Sequence, residues 1–325
     1  LKGGGLMAER SKRLYFSDED KKQKINPETI KLLKKYKMDM ELRELSVNTI
    51  YQYETDLYQW LIYVYDNQGN QCVTDLDEDD LTEFFYYCKT EGNNSRRMKR
   101  RMASISAFYK YLRKKKYISE NPMEIMDRPK KDTDIIVQTF LTKEQVDLMK
   151  HKLQEYVDNN GYRAKELQLY ALFSLSTMAR VNAVAHLRWD QIDFDERTCN
   201  DVLEKEGKLV TLYFNKDVKQ LLLDLRKERI EKNIDDGGYV FNTDKEAIKT
   251  GTLNSWAKKI GEMIGVSTLH PHDFRHSGSQ LLKLQGCSIE QISELLNHSG
   301  LDVTKRFYLR ADKKKIQAEK DKYEI

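Results

Sequence analysis

Apolar residues recur at helical spacing in block after block of this chain, and only one short stretch alternates as a strand would. Ile50, Tyr53, Leu57, Trp60, Leu61 and Val64 fall on one face of a 3.6-residue repeat. Ser46 or Asn48 is placed to cap that helix, and Asn67, Gly69 and Asn70 end it. Before it, residues 27–44 read as a shorter amphipathic helix with Pro27 in its first turn. A third helix, from near Asp79, turns Leu81, Phe84, Phe85 and Cys88 inward. A fourth, from about Ser95, does the same with Met98, Met102, Ile105, Phe108, Tyr109 and Leu112. Residues 1–26 are polar and are expected to be flexible, so this half predicts a small helical bundle over residues 27–127.

Asn121-Pro122 breaks the pattern, and RPKKDTD (residues 128–134) reads as a polar linker that continues to residue 139. Thr142 with Gln145 forms a capping box that opens a second domain over 140–325. A long apolar helix follows, from about Arg163 to Met178. In residues 201–214 the pattern changes to a hairpin, with Glu206-Gly207 at the turn and Val210, Leu212 and Phe214 alternating after it. Helices over 216–232 and 251–264 complete the approach to residues 270–310. The expected fold is mainly α with a small β-hairpin or sheet: a helical N-terminal domain, then an α+β domain. At 325 residues, two domains are also what length alone favours.

Charge alters the picture by its distribution. The net charge is only +4. Residues 94–131, however, carry 13 Lys and Arg against 3 Asp and Glu, and the helix from Ser95 turns Arg96, Arg97, Arg100 and Lys110 away from its apolar side. A solvated face is the ordinary outcome for such a cluster; one basic face on a helical bundle favours an anionic partner. The four cysteines form no CxxC pair, as expected for reduced thiols. No apolar run reaches membrane-spanning length, and the first residues lack the apolar centre of a secretory signal. A cytoplasmic protein with no membrane partner is expected.

Residues 270–310 gather the candidate chemistry, holding four of the six histidines in the chain. His272, Arg275 and His276 stand at i, i+3 and i+4, which is one face of a helix. Gly286 stops that helix, and Ser288 with Gln291 caps the next, whose stripe of Ile289, Ile292, Leu295 and Leu296 delivers His298 to its end. Tyr308 follows ten residues later. The order H-x-x-R-H, then Leu-x-His, then Tyr resembles the C-terminal signature of the tyrosine recombinases, or phage-type integrases. Upstream, TMARVNAVAHLRWDQIDF resembles the first arginine box of that family. Arg180 fits the arginine, whereas Met178 stands where glycine is common and Ala183 where an acidic residue is often found. The resemblance covers roughly residues 45–315.

What the resemblance implies is a DNA strand transferase, with an N-terminal core-binding domain and a C-terminal catalytic domain clamped around duplex DNA. Arg180 and Arg275 would hold the scissile phosphate, since guanidinium is permanently charged and matches phosphate oxygens in bidentate fashion. Tyr308 would be the nucleophile. His272 would accept its proton, and His298 would bond a non-bridging oxygen. Lys205 on the hairpin would protonate the leaving 5′-oxygen, with Lys208 as the rival position. Neither cofactor nor metal is implied. The implied partners are double-stranded DNA with an inverted-repeat site and three further copies of the chain, the C-terminal tail being exchanged in trans within a tetramer. His270 and His276 are read as structural. A catalytically inactive DNA-binding protein of the same fold, a type IB topoisomerase, and a zinc hydrolase on His270, His272 and His276 are the alternatives. The last lacks the glutamate of the H-E-x-x-H motif.

Overall fold

The computed structural model describes residues 18–130, 140–204 and 207–297. The chain forms two compact units, parting between residues 137 and 138. It is mostly helical with small antiparallel sheets, the fold class that the hydrophobic pattern predicts.

Among the described residues, the first unit contains five helices: α1 (Glu19–Lys24), α2 (Pro27–Leu42), α3 (Val47–Asn67), α4 (Glu78–Thr90) and α5 (Ser95–Lys114). Side-chain caps start the four longer helices at Asn26, Ser46, Asp77 and Asn94, so that orphan N–H groups find acceptors. Leu57, Trp60, Leu81, Phe84, Ile105, Phe108 and Tyr109 are fully buried between them. The Tyr109 hydroxyl, carried into that core, donates to the Val73 carbonyl at 3.0 Å. One expectation is corrected. Part of the stretch 1–26 is helical, because Asp18 caps α1, Lys21 pairs with Asp66 of α3 at 2.6 Å, and Ile25 is buried against the bundle.

The second unit is built around α7 (Tyr162–Thr177), whose buried residues occupy almost its whole circumference. A helix apolar on all sides belongs inside a domain. Around it stand α6 (Lys143–Asn160), α8 (Val181–Ala185), α9 (Lys216–Glu231), α10 (Thr250–Met263), α11 (Pro271–Leu284) and α12 (Ile289–Leu295). A three-stranded antiparallel sheet runs β1 (Ile192–Asp193), β2 (Thr198–Leu203), β3 (Leu209–Tyr213), and β4 (Asn242–Thr243) pairs with β5 (Glu246–Ala247). The β2–β3 hairpin begins earlier than its alternation suggests. Asn200 and Asp201 both face outward, Asp201 at a positive φ of 53°, and the register shifts between Cys199 and Val202. That bulge hides the first part of the strand from a period-two reading.

Inside this unit Arg229 of α9 is buried. It pairs with Glu166 of α7 at 2.8 Å and Asp236 at 2.9 Å, and donates to the Tyr239 and Val240 carbonyls. It fastens the segment between α9 and β4 to the central helix and belongs to the framework.

Candidate active site

Two close approaches bring the candidate residues together. At the first, α7 ends in a left-handed residue, Met178, with φ 55° and ψ 25°. The chain then turns sharply and starts α8 with Arg180 at its N-cap. At the second, α11 packs on α7 at Gly278. A β-carbon there would lie 2.2 Å from the Leu175 carbonyl oxygen and 2.8 Å from Met178 Cγ. Only glycine allows that contact, and through it α11 carries Arg275 up to the α7–α8 junction. Leu141 N–H donates to Ser277 Oγ at 2.8 Å, tying the start of the unit to the same helix.

Arg275 is 4% exposed. It donates from Nη1 to the Met178 carbonyl at 2.5 Å and from Nη2 to the Leu296 carbonyl beyond α12. Backbone from two directions thus fixes its plane. Arg180 is 34% exposed and donates from Nη1 to Oε2 of Glu204. Oε1 of the same carboxylate is 3.8 Å from Arg275 Nη1. Glu204, itself 1% exposed, therefore lies between the two arginines.

His272 and His276 share a face of α11, their ring centroids 4.4 Å apart and nearly perpendicular. His272 reaches solvent, but partial enclosure by protein, then the charges of Arg275, His270 and Arg180, hold its pKa below the ordinary 6.5. Loss of solvation and nearby positive charge both disfavour the imidazolium. His270 precedes α11, where its N–H donates to Asp273 at 2.9 Å and its ring lies 3.2 Å from the same carboxylate. Among the described residues, no three His, Cys, Asp or Glu side chains group as a metal site.

Lys205, His298 and Tyr308 lie outside the described residues. Lys208, the other hairpin lysine, is exposed and borders an open depression with Gln291, Glu294 and Asn297. On the basic helix α5, Arg96 and Lys110 are exposed and Arg97 is half-buried. Arg100 is exposed too, but it grips the buried carboxylate of Asp56 through Nε at 3.1 Å and Nη2 at 2.9 Å. Arg101 is fully buried and donates to Asn93 and Gln59. The basic run therefore divides between structure and surface, a division its composition does not show.

Glu204 is the residue that sequence reasoning missed. The signal was present: Val202 is buried, Leu203 is 53% exposed and Glu204 is buried again. Period-two alternation continued by one residue points its side chain inward.

Comparison with known proteins finds similar chains and similar folds. The chain is 27% identical over 265 residues to Tyrosine recombinase XerC of Herpetosiphon aurantiacus, covering 81% of this chain and 84% of that one. It is 27% identical over 311 residues to Tyrosine recombinase XerC of Pediococcus pentosaceus, covering 91% and 97%. In fold it is similar to XerH site-specific recombinase bound to a palindromic difH substrate, with a TM-score of 0.70 at 18% identity over 85% of this chain and 80% of that one. It is also similar to the Tn1549 transposon integrase in complex with transposon right end DNA, with a TM-score of 0.66 at 18% identity over 90% and 98%. The family model described as "Phage integrase, N-terminal SAM-like domain" matches residues 33–116, and that described as "Phage integrase family" matches residues 139–315. With more than half of its length matched by that second model, the chain belongs to the phage integrase family of tyrosine recombinases.

Proposed function

We propose that this protein is a site-specific DNA recombinase that cuts and rejoins strands through a 3′-phosphotyrosine intermediate and a Holliday junction. The observation that carries the reading is the convergence of Arg180 and Arg275, from elements far apart in sequence, on a single point beside His272. Two fixed guanidiniums suit the charge that develops on the phosphoryl oxygens. Such preorganised charge is usually the largest catalytic term, one lost donor costing about 3–4 kcal/mol.

Tyr308 attacks phosphorus and Lys205 protonates the departing 5′-oxygen, with His298 on a non-bridging oxygen. A phenol with a pKa of about 10 is only roughly one part in a thousand ionised at pH 7. It therefore needs a base, and His272, held neutral by its surroundings, serves. The phosphotyrosine bond conserves the energy of the cleaved diester, so the 5′-hydroxyl of a partner strand reverses the step without ATP or metal. The exposed Arg96 and Lys110 of α5 contact backbone phosphates, an interaction largely independent of sequence.

The working assembly in this reading is a tetramer on an inverted-repeat site in the cytoplasm, acting in element integration, transposition or Xer-like resolution. The tail beyond Ala311 docks on a neighbouring copy. An open apolar depression bordered by Leu172, Leu175, Leu281, Leu282 and Leu295 supports such docking. Among the described residues, no helix is long and apolar enough to cross a membrane.

The test uses duplexes selected by the protein from a random pool and rebuilt with a nick beside the scissile phosphate. A covalent protein–DNA adduct is expected in EDTA and without ATP, and Tyr308→Phe abolishes it. Salt-sensitive binding with no adduct would leave a DNA-binding protein of the same fold.

A further inference from the structure

The two arginines do not reach their positions unaided. Glu204 closes the β2–β3 ladder, its N–H donating to the Lys208 carbonyl at 2.8 Å, so its backbone is fixed by the sheet. Its carboxylate lies among the α7–α8 junction, α11 and the hairpin. Oε2 accepts from Arg180, and Oε1, 3.8 Å from Arg275 Nη1, has no hydrogen-bond partner among the described residues. Two guanidiniums brought this close repel each other, and one is almost wholly removed from water. A buried carboxylate between them lowers that cost. At the helical position where the family's supporting acid is often found, this chain has a buried alanine, Ala183.

We propose that Glu204 is the positioning residue of this site: from the hairpin, it holds Arg180 and Arg275 in the geometry that receives the scissile phosphate. This rests on the recombinase reading above. Misplacement by about 1 Å through a residue outside the chemistry costs on the order of a hundredfold in rate.

The experiment compares full-length wild type with Glu204→Gln, Glu204→Asp and Glu204→Ala on the nicked duplexes selected by the wild type. Three quantities are measured: affinity for the intact duplex, the single-turnover rate of adduct formation, and the thermal midpoint. Glu204→Ala is expected to lose about a hundredfold in rate while its affinity stays within about threefold. Glu204→Gln, which keeps shape and one acceptor, falls between. A neutral methylphosphonate at the scissile position, which asks less of the arginines, narrows the gap between wild type and Glu204→Gln. Should Glu204→Ala misfold, the isosteric Gln variant decides by that narrowing. A rate unchanged in a folded variant, or an equal loss on both substrates, overturns the assignment while leaving the recombinase reading intact. A wild type that never forms the adduct removes the reading, and this assignment with it.

Discussion

The Met178 carbonyl accepts a hydrogen bond from Arg275 at 2.5 Å, and Met178 itself sits in the left-handed region at φ 55°. The two facts belong together. A left-handed turn at the end of α7 aims that carbonyl back at α11, and it costs an L-residue about 1–2 kcal/mol. Glycine would avoid the cost, and the arginine box of the family commonly has one there. In this chain the side chain compensates: Met178 is 2% exposed and forms a small apolar cluster with Ile292 and Leu296 of the α12 region.

Magnitudes decide the outcome of Met178→Gly. Relief of the backbone returns about 1–2 kcal/mol, whereas emptying a buried methionine site costs about 2–5 kcal/mol. The variant is expected to melt lower than wild type. It is also expected to loosen α12 first, since Ile292 and Leu296 lose their partner. Thermal denaturation with hydrogen exchange of α12 amides checks both; a raised midpoint would show that the packing is worth less than the strain.

Gly278→Ala tests the approach of α11 to α7. The added methyl would meet the Leu175 carbonyl oxygen at 2.2 Å, a backbone atom that cannot swing away. The helices must separate, and overpacking of this kind costs about 1–3 kcal/mol. Arg275 rides on the same helix, so adduct formation should fall with stability. Calorimetry beside the single-turnover assay separates the two effects, and an unchanged midpoint would mean that the helices slide freely at this point.

Periodicity made most of this legible from the sequence, for a physical reason. Apart from the enclosed α7, the long helices bury a stripe, and burial at 3.6-residue spacing is written directly in residue order, as with Leu57, Trp60, Leu61 and Val64 of α3. Caps are equally local: Thr142–Gln145 and Ser288–Gln291 both form the boxes their spacing predicts. What residue order did not reveal depends on contacts between distant segments. Arg100 and Arg96 are alike in sequence, yet one faces Asp56, 44 residues away, and the other faces solvent. Arg229 looks like a surface cation of an amphipathic helix and is buried among carboxylates of α7 and the following loop. Glu204 alternates inward as its strand does, but its partners Arg180 and Arg275 come from segments distant in sequence.

That division of the basic helix yields a prediction with two arms. Arg96 and Lys110 are 14 residues apart on α5, about 21 Å along its axis, and both are exposed. Arg96→Ala and Lys110→Ala should each weaken duplex binding regardless of sequence and flatten its salt dependence by about one in the logarithmic slope, with no change in melting. Arg100→Ala should instead leave the buried Asp56 carboxylate short of its main partner and lower stability by about 1–3 kcal/mol. Binding titrations across salt, run beside thermal melts, would expose the reverse pattern if it held.

In the free protein, His272 is held below the ordinary histidine pKa. Partial burial leads the causes that lower its pKa, followed by Arg275, His270 and Arg180; His276 is its close ring neighbour. The direction means that the folded chain resists protonation more than the unfolded chain, whose histidine titrates near 6.5. As pH falls through 6.5 the unfolded state takes the proton first, so a penalty appears there and is complete below the folded value. Replacing His272 by Gln should therefore soften the loss of thermal stability on acidification. Side-chain NMR titration of His272 measures the value without reference to the reaction. A midpoint at or above 6.5 would mean that the imidazole is better stabilised as a cation than its neighbours allow, and it would overturn the predicted acid destabilisation.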